Sequence, residues 1–242
     1  MPRLARKDLK SSYCHVIVQG INKEYIFKED YLKDAYKNLL KRNLEEIDVK
    51  ILSYCIMDNH AHLLIYSDKI EYMTELMRKV NTSYAMLYNS MKNRVGYVFR
   101  DRYYTQMILS EDQLLNCIAY IHYNPVNAKM VLKMNEYQYS SYREYIGKKD
   151  LITKEGIKLV FGSSKNYIET FKEIHKKKEI EDIIDIVEKE TCEKVIEDFL
   201  REKGKKLEEI KQSNEELKEL LLKLRHNGRS TFKKNGKNIE YK

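Results

Sequence analysis

The chain has 242 residues, of which 43% are hydrophobic and 34% charged, so it is long enough to bury a core and too apolar to be globally disordered. Its 45 lysines and arginines exceed its 37 acidic residues, and the resulting net charge of +8 favours a polyanionic partner. No apolar run reaches the length of a membrane span, and the N-terminal residues lack the apolar core of a signal peptide. The four cysteines form no C-x-x-C pair, which argues against a disulfide framework and a cysteine zinc site. We therefore expect a cytoplasmic protein without membrane contact.

Strand-like and helix-like patterns alternate through the first part of the chain. The predicted elements are a strand over 13–18, a helix over 29–42, paired strands over 49–57 and 61–66, a helix over 71–91, a strand over 103–109 and a helix over 110–123. Ser110 is a suitable N-cap for the last helix, which we expect to end before Pro125. The order β-α-β-β-α-β-α predicts an α+β fold, a ferredoxin-like antiparallel sheet with helices on one face.

A change in composition predicts a domain boundary near residue 147. Eighteen of the 20 tyrosines lie in residues 1–150, and the later part of the chain is dominated by charged residues in helical patterns. We therefore predict a folded domain over residues 1–146, a linker over 147–176 and an all-helical tail over 177–242. Gly204 is a plausible helix stop, and the heptad-like spacing over 207–224 is typical of a small helical bundle or a short coiled coil.

The first candidate for chemistry is the pair His60 and His62. Alternation along a strand places both imidazoles on one face of the sheet. Two neutral imidazoles on one face are suited to hold a divalent cation when a third ligand comes from elsewhere. The alternative is a pair of partly solvated histidines without a ligand, and the H-x-H pattern taken alone favours that alternative.

The second candidate is the pair Tyr120 and Asn124 near the end of the predicted helix 110–123. Four residues apart, the two side chains share a helix face. A tyrosine hydroxyl is able to attack phosphorus, and an asparagine carbonyl oxygen suits a hard cation such as Mg²⁺. The alternative is that Tyr120 packs in the core and Asn124 merely ends the helix.

Arginines alternate with aromatic residues over 99–104, which is the third candidate. Arg100 and Arg102 share a face if this segment is extended, and arginines interleaved with aromatic rings suit single-stranded nucleic acid. A charged strand edge that keeps the protein soluble is an equally good interpretation.

Taken together, five motifs in this order resemble the single-tyrosine HUH transposases, and within them the REP-associated tyrosine transposases of the IS200-like superfamily. The motifs are found at residues 1–3, 15–23, 54–64, 96–103 and 120–126, and the resemblance covers about residues 1–146. It implies a ferredoxin-like catalytic domain, in agreement with the order of the predicted elements.

The resemblance also implies roles for individual residues. His60 and His62 match the histidine pair that ligates a divalent metal, Mg²⁺ or Mn²⁺, and Asn124 matches the third ligand. Tyr120 matches the nucleophile, with Tyr123 as the second choice because it lies elsewhere around the helix. The alanine between the histidines, Ala61, departs from the bulky hydrophobic residue usual in the family.

The implied reaction is metal-dependent cleavage and strand transfer of single-stranded DNA near hairpins, through a 5′-phosphotyrosine. No nucleotide cofactor is expected, since the bond energy is conserved and no G-x-x-x-x-G-K motif is present. Arg100, Arg102 and Lys10 are the predicted DNA contacts. Relatives act as homodimers or as monomers, and the sequence leaves both states open for this chain. It also leaves open whether the tail is a truncated DNA-binding or dimerisation module. The alternative function is a catalytically silent regulator that binds hairpin DNA.

Overall fold

A computed structural model describes residues 12–147, 149–164, 166–176, 196, 199–227, 234–235 and 238–239. The chain divides into two compact units, with the boundary between residues 177 and 178.

The centre of the first unit is a four-stranded antiparallel sheet. Its strands are β1 (Tyr13–Gln19), β2 (Lys50–Ile56), β3 (His60–Tyr66) and β4 (Tyr104–Met107), in the spatial order β2-β3-β1-β4. In this order the first strand lies between the third and the fourth, which is the split β-α-β arrangement. The predicted α+β fold with an antiparallel sheet is confirmed.

One face of the sheet is covered by α1 (Asp30–Leu44) and α2 (Ile70–Met91). The ring of Tyr36 on α1 meets that of Tyr84 on α2 edge to face at 5.2 Å, and the Tyr36 hydroxyl donates to Asn81 Oδ1 at 3.0 Å. Both rings are fully buried, so the two helices are fixed to each other by aromatic packing that also covers the sheet.

The helix α3 (Glu111–Asn127) begins where the sequence predicts, because the Ser110 side chain accepts a hydrogen bond from the Gln113 backbone N–H at 3.2 Å. It does not end before Pro125, which lies inside the helix. A proline so close to the C-terminal end removes a single helical hydrogen bond, and the carbonyl of Pro125 still accepts from the Met130 N–H at 2.9 Å. The extension places Asn124 within the helix rather than beyond it.

Helices lie on both faces of the sheet rather than on one, because α3 packs opposite α1 and α2. The register of β2 against β3 shifts between Ile51 and Ser53, and the Ser53 hydroxyl lies 3.1 Å from His122 Nε2 on α3. Lys37 of α1 lies over the ring of the next residue, Tyr54, which faces the other way. The side chains at the centre of the sheet are therefore buried from both sides.

The segment over 147–176 is part of the first unit and not a linker. After α4 (Tyr142–Ile146) it forms α5 (Lys154–Phe161) and α6 (Tyr167–Ile174). Phe171 is fully buried and stacks on Tyr145 at 4.5 Å with nearly parallel rings. Charged residues occupy only the outer faces of these short helices, which is why the overall composition suggested a linker.

The second unit contains α7 (Leu207–Gln212) and α8 (Asn214–Asn227), together with a short antiparallel pair, β5 (Lys234–Asn235) and β6 (Asn238–Ile239). The tail is thus not all-helical. Ser213 is in an extended conformation, so the heptad-like spacing over 207–224 spans two helices instead of one. Gly204 ends the preceding helical turn at φ +62°, as predicted. Within the described ranges, no helix has the length and apolar character needed to cross a bilayer.

Candidate active site

The strand β3 places His60 and His62 side by side on the face of the sheet that α3 covers. Their ring centroids are 4.8 Å apart and the rings are almost perpendicular. His62 is 3% exposed, whereas His60 is half-buried at the start of the strand. The Nδ1 of His60 lies 2.7 Å from Asn59 Oδ1. Because a carbonyl oxygen only accepts, this hydrogen bond places the ring proton on Nδ1 and the lone pair on Nε2.

A third imidazole, which the sequence reasoning did not assign to the site, belongs to the same cluster. His15 on β1 is 1% exposed, and its Nε2 lies 3.0 Å from His62 Nδ1. The two rings are stacked with centroids 5.2 Å apart. The signal in the sequence was a histidine inside the apolar strand pattern over 13–18, where only a buried, hydrogen-bonded imidazole is tolerated.

Burial keeps His15 and His62 neutral at physiological pH. Burial lowers the pKa of His15 to about 4. Burial also holds the pKa of His62 well below its usual range, and the neighbouring His60 and His15 lower it further. A neutral imidazole keeps one nitrogen lone pair, which is the form that binds a metal ion.

The helix α3 brings Tyr120 to the same cluster. Its ring centroid lies 5.6 Å from that of His62 and 5.9 Å from that of His15, in both cases edge to face. Within the described part of the chain, the tyrosine ring in contact with His15 and His62 is thus that of Tyr120 and not that of Tyr123. Tyr120 is also partly buried against the core, so the ring that contacts the histidines is held in position by core packing.

Asn124 lies one turn beyond Tyr120 on α3. Its side-chain Nδ2 donates to the Tyr120 carbonyl oxygen at 2.9 Å, which holds the amide against the helix. The donor of the amide is therefore satisfied locally, and the carbonyl oxygen Oδ1 is the atom suited to a cation.

The donor chemistry of these residues fits a divalent ion. Across the described ranges, no three histidine, cysteine, aspartate or glutamate side chains are grouped so that they would hold a metal. The donor atoms that would suit such an ion are the imidazole nitrogens of His60 and His62 and the amide oxygen of Asn124. An amide oxygen suits Mg²⁺ and Mn²⁺ equally, whereas imidazole nitrogen is a better ligand for a transition-metal ion such as Mn²⁺ than for Mg²⁺.

Arg100 and Arg102 lie in a bend before β4 rather than in an extended segment, so they do not share a face by alternation. Arg100 continues the edge of β1, since its N–H donates to the Gln19 carbonyl oxygen at 2.9 Å. Its guanidinium lies 3.5 Å from Gln19 Oε1, and Gln19 is the direct cross-strand partner of His60. Arg100 therefore lies close to His60, with Gln19 between them. The third predicted DNA contact, Lys10, lies outside the described residues.

A cavity of about 870 Å³ opens beside this bend, between α2 and residues 96–103. Arg78, Arg100 and Arg102 lie around it, and its aromatic lining is provided by Tyr97, Phe99 and Tyr103. Tyr97 is 83% exposed, which is unusual for an aromatic side chain. Exposed aromatic rings next to guanidinium groups are typical of surfaces that bind single-stranded nucleic acid.

A second histidine pair consists of His122 on α3 and His175, which follows α6. His175 Nδ1–H donates to the Phe171 carbonyl oxygen at 2.6 Å, so its Nε2 accepts from His122 Nδ1–H at 2.9 Å. The Nε2 of His122 then accepts from the Ser141 hydroxyl at 2.7 Å. This chain of hydrogen bonds is buried, and it fastens α3 to α6 and to the turn before α4.

This second pair predicts a loss of stability in acid. Burial lowers the pKa of His175 to about 4 from an ordinary value of 6.5, although its hydrogen bond to Phe171 opposes the shift. The unfolded chain therefore takes up a proton near pH 6.5 and the folded chain only near pH 4. The free energy of unfolding should fall as pH decreases through this window, by about 1.4 kcal/mol per pH unit for this group. In His175→Gln, the free energy of unfolding measured from pH 7.5 to 4 should depend less steeply on pH than in the wild type. An unchanged dependence on pH would contradict the assignment.

Comparisons with known proteins agree on one family. The family described as "Transposase IS200 like" matches residues 8–124. A protein of Haemophilus influenzae that carries the name REP-associated tyrosine transposase is 26% identical over 137 residues, which is 52% of this chain and 76% of that protein. A solved structure of a REP-associated tyrosine transposase bound to a REP hairpin has a TM-score of 0.50 and 12% identity, and the match covers 60% of this chain and 86% of that one. This structural likeness concerns the fold.

Proposed function

We propose, from the match of residues 8–124 to the IS200-like transposases, that the protein cleaves and rejoins single-stranded DNA near hairpins through a phosphotyrosine on Tyr120. The observation that carries the proposal is that the Tyr120 ring lies 5.6 Å from the ring of His62, which lies 4.8 Å from the ring of His60. The proposed nucleophile and the two proposed nitrogen ligands thus lie together on elements of one chain. This arrangement supports cleavage by a single copy.

In the proposed reaction the Tyr120 hydroxyl oxygen attacks the phosphorus of a phosphodiester in line with the 3′-oxygen. The P–O3′ bond breaks, the tyrosine becomes linked to the 5′-phosphate, and the 3′-oxygen leaves as a hydroxyl after gaining a proton. The phenolic proton passes to water. The phosphoester is conserved, so a 3′-hydroxyl of another strand is able to attack the phosphotyrosine and restore a DNA backbone.

We propose His60, His62 and Asn124 as the residues that hold a divalent ion, Mg²⁺ or Mn²⁺. When bound, such an ion polarises the scissile phosphate and stabilises the negative charge on the leaving oxygen. The chain itself supplies the position of the nucleophile, because α3 fixes the Tyr120 ring against the sheet while the Asn124 amide is held by the carbonyl one turn earlier.

The proposed DNA partner is supported by charge and by the cavity between α2 and residues 96–103. The chain has a net charge of +8, and three arginines and three aromatic residues line the cavity. Arg100 is close to His60 through Gln19, so a phosphate bound by its guanidinium lies near the reacting groups. The comparison structure described as bound to a REP hairpin makes an imperfect hairpin the first ligand to test.

The proposal is tested by mixing the purified full-length chain with single-stranded hairpin oligonucleotides from the DNA that flanks its own coding sequence. A denaturing gel with and without Mn²⁺ then reveals covalent protein–DNA adducts. A band that requires Mn²⁺ supports the proposal. Hairpin binding without any band would instead favour the silent regulator of hairpin DNA.

The contribution of Arg100 is tested by Arg100→Ala. We expect weaker binding to all hairpin sequences and a salt dependence of binding reduced by about one unit of slope, because one phosphate contact is lost. Lys41→Ala is the matched control, since it also removes one positive charge but the lysine is exposed and paired with Asp150 at 2.7 Å. Equal salt slopes in the two variants would mean that Arg100 acts only through the net charge.

A further inference from the structure

The unusual feature of the site is that one of its histidines is buried against another histidine. His15 lies opposite Leu64 in the register of β1 and β3, and Ile17 lies opposite His62, so His15 is the diagonal cross-strand neighbour of His62. This diagonal brings His15 Nε2 within 3.0 Å of His62 Nδ1, with both side chains almost fully buried. Diagonal neighbours of this kind interact when their side chains are large enough.

Two nitrogen atoms at this distance share a single hydrogen, so one ring donates and the other accepts. If His62 donates from Nδ1, its lone pair is on Nε2. The ring of His60 is set in the same way, because its Nδ1 lies 2.7 Å from the Asn59 carbonyl oxygen. The two histidines of β3 then offer the same atom, Nε2, to a common ligand. Histidines that bind metals are usually oriented by a hydrogen bond from their other ring nitrogen.

We propose that His15 is a positioning residue of the metal site, whose Nε2 accepts the hydrogen bond from His62 Nδ1–H and so holds His62 with Nε2 as its lone-pair nitrogen. This inference rests on the proposed function, in which His60 and His62 bind the ion. His15 itself does not touch the ion, because its Nε2 is engaged by His62. Its ring also meets the Tyr120 ring edge to face at 5.9 Å, so the same side chain contacts the proposed nucleophile.

The matched control is the second histidine pair. His122 and His175 lie 2.9 Å apart between ring nitrogens, with centroids 5.1 Å apart and rings inclined by 18°. The corresponding values for His15 and His62 are 3.0 Å, 5.2 Å and 20°. Removing one imidazole from either pair therefore costs a similar buried contact, and only one of the pairs includes a proposed metal ligand.

The experiment measures Mn²⁺ affinity by calorimetry, without DNA, for the full-length wild type and for His15→Phe, His15→Gln and His175→Phe. We expect His15→Phe to bind Mn²⁺ about 10–100-fold more weakly, since the ring of His62 loses its acceptor. His15→Gln offers a carbonyl oxygen to His62 Nδ1–H and should retain most of the affinity. His175→Phe should bind as the wild type does, and all four proteins should bind hairpin DNA equally without metal.

A wild-type affinity in His15→Phe overturns the inference. A loss of one imidazole from the Mn²⁺ electron spin echo spectrum in His15→Gln also overturns it, because His15 would then be a ligand. If His15→Phe does not fold, ¹⁵N shifts of the histidine rings in the wild type decide the question: a proton on His62 Nδ1 supports the proposal, and a proton on Nε2 refutes it. Failure of the wild type to bind Mn²⁺ removes the proposed metal site itself, which is a different result from a tight site that is indifferent to His15.

Discussion

Replacing Tyr120 by phenylalanine is expected to abolish the Mn²⁺-dependent covalent adduct with hairpin DNA while leaving hairpin binding intact. The substitution removes the hydroxyl that attacks phosphorus but keeps the ring, which packs at 5.6 Å from His62 and 5.9 Å from His15. Loss of a nucleophile lowers the rate of the chemical step by about 10³-fold or more. A denaturing gel measures the adduct, and a gel-shift assay with the same oligonucleotide measures binding.

Tyr123→Phe is the matched control, since it makes the same change three residues along the same helix. It should form the adduct as the wild type does. The reverse pattern, with adducts in Tyr120→Phe and none in Tyr123→Phe, would transfer the role of nucleophile to Tyr123. Adducts in neither variant would indicate that both hydroxyls are needed, which the proposed reaction does not predict.

Replacing Phe171 by alanine is expected to destabilise the first unit by about 3–5 kcal/mol, the usual cost of removing a buried phenylalanine. Phe171 is fully buried, stacks on Tyr145 and packs against the ring of His122 at 5.7 Å. Since it belongs to α6, the effect would show that the segment after residue 147 is part of the same cooperative core. Most tyrosines lie in residues 1–150, so tyrosine fluorescence during denaturant unfolding reports on that unit.

Ile168→Ala is the control for this prediction. Ile168 is on the same helix but is 37% exposed, and exposed substitutions usually change stability by less than about 0.5 kcal/mol. Equal and small effects of the two substitutions would restore the original prediction of a linker over 147–176.

Sequence periodicity was enough to predict the elements of the sheet and their order. The strands and helices over residues 13–123 follow from alternating or helical spacing of apolar residues and from local signals such as the Ser110 N-cap. The H-x-H spacing likewise fixes a shared face for His60 and His62, since side chains alternate along a strand. These are properties of neighbouring residues, and local geometry determines them.

The predictions that were wrong depended on distant contacts. Pro125 was expected to end α3, but one missing hydrogen bond near the helix end is tolerated where the helix packs on the sheet. The segment over 147–176 was read as a linker from its charge, although its apolar residues complete the core beneath α3 and α4. Apolar periodicity along the chain also does not predict the register shift before Ser53 or the second layer of helices.

The sequence by itself determined the resemblance to a family, the order of the elements and the identities of the residues proposed for the reaction, because these depend on residue types and their spacing. Only the tertiary structure brought Tyr120 to His62 and added His15 to them, since these three side chains belong to α3, β3 and β1. Spacing along the chain constrains which face of an element a side chain occupies. Which other element that face meets is decided by the burial of the whole core, and this is why the partner of His62 appeared only in the folded chain.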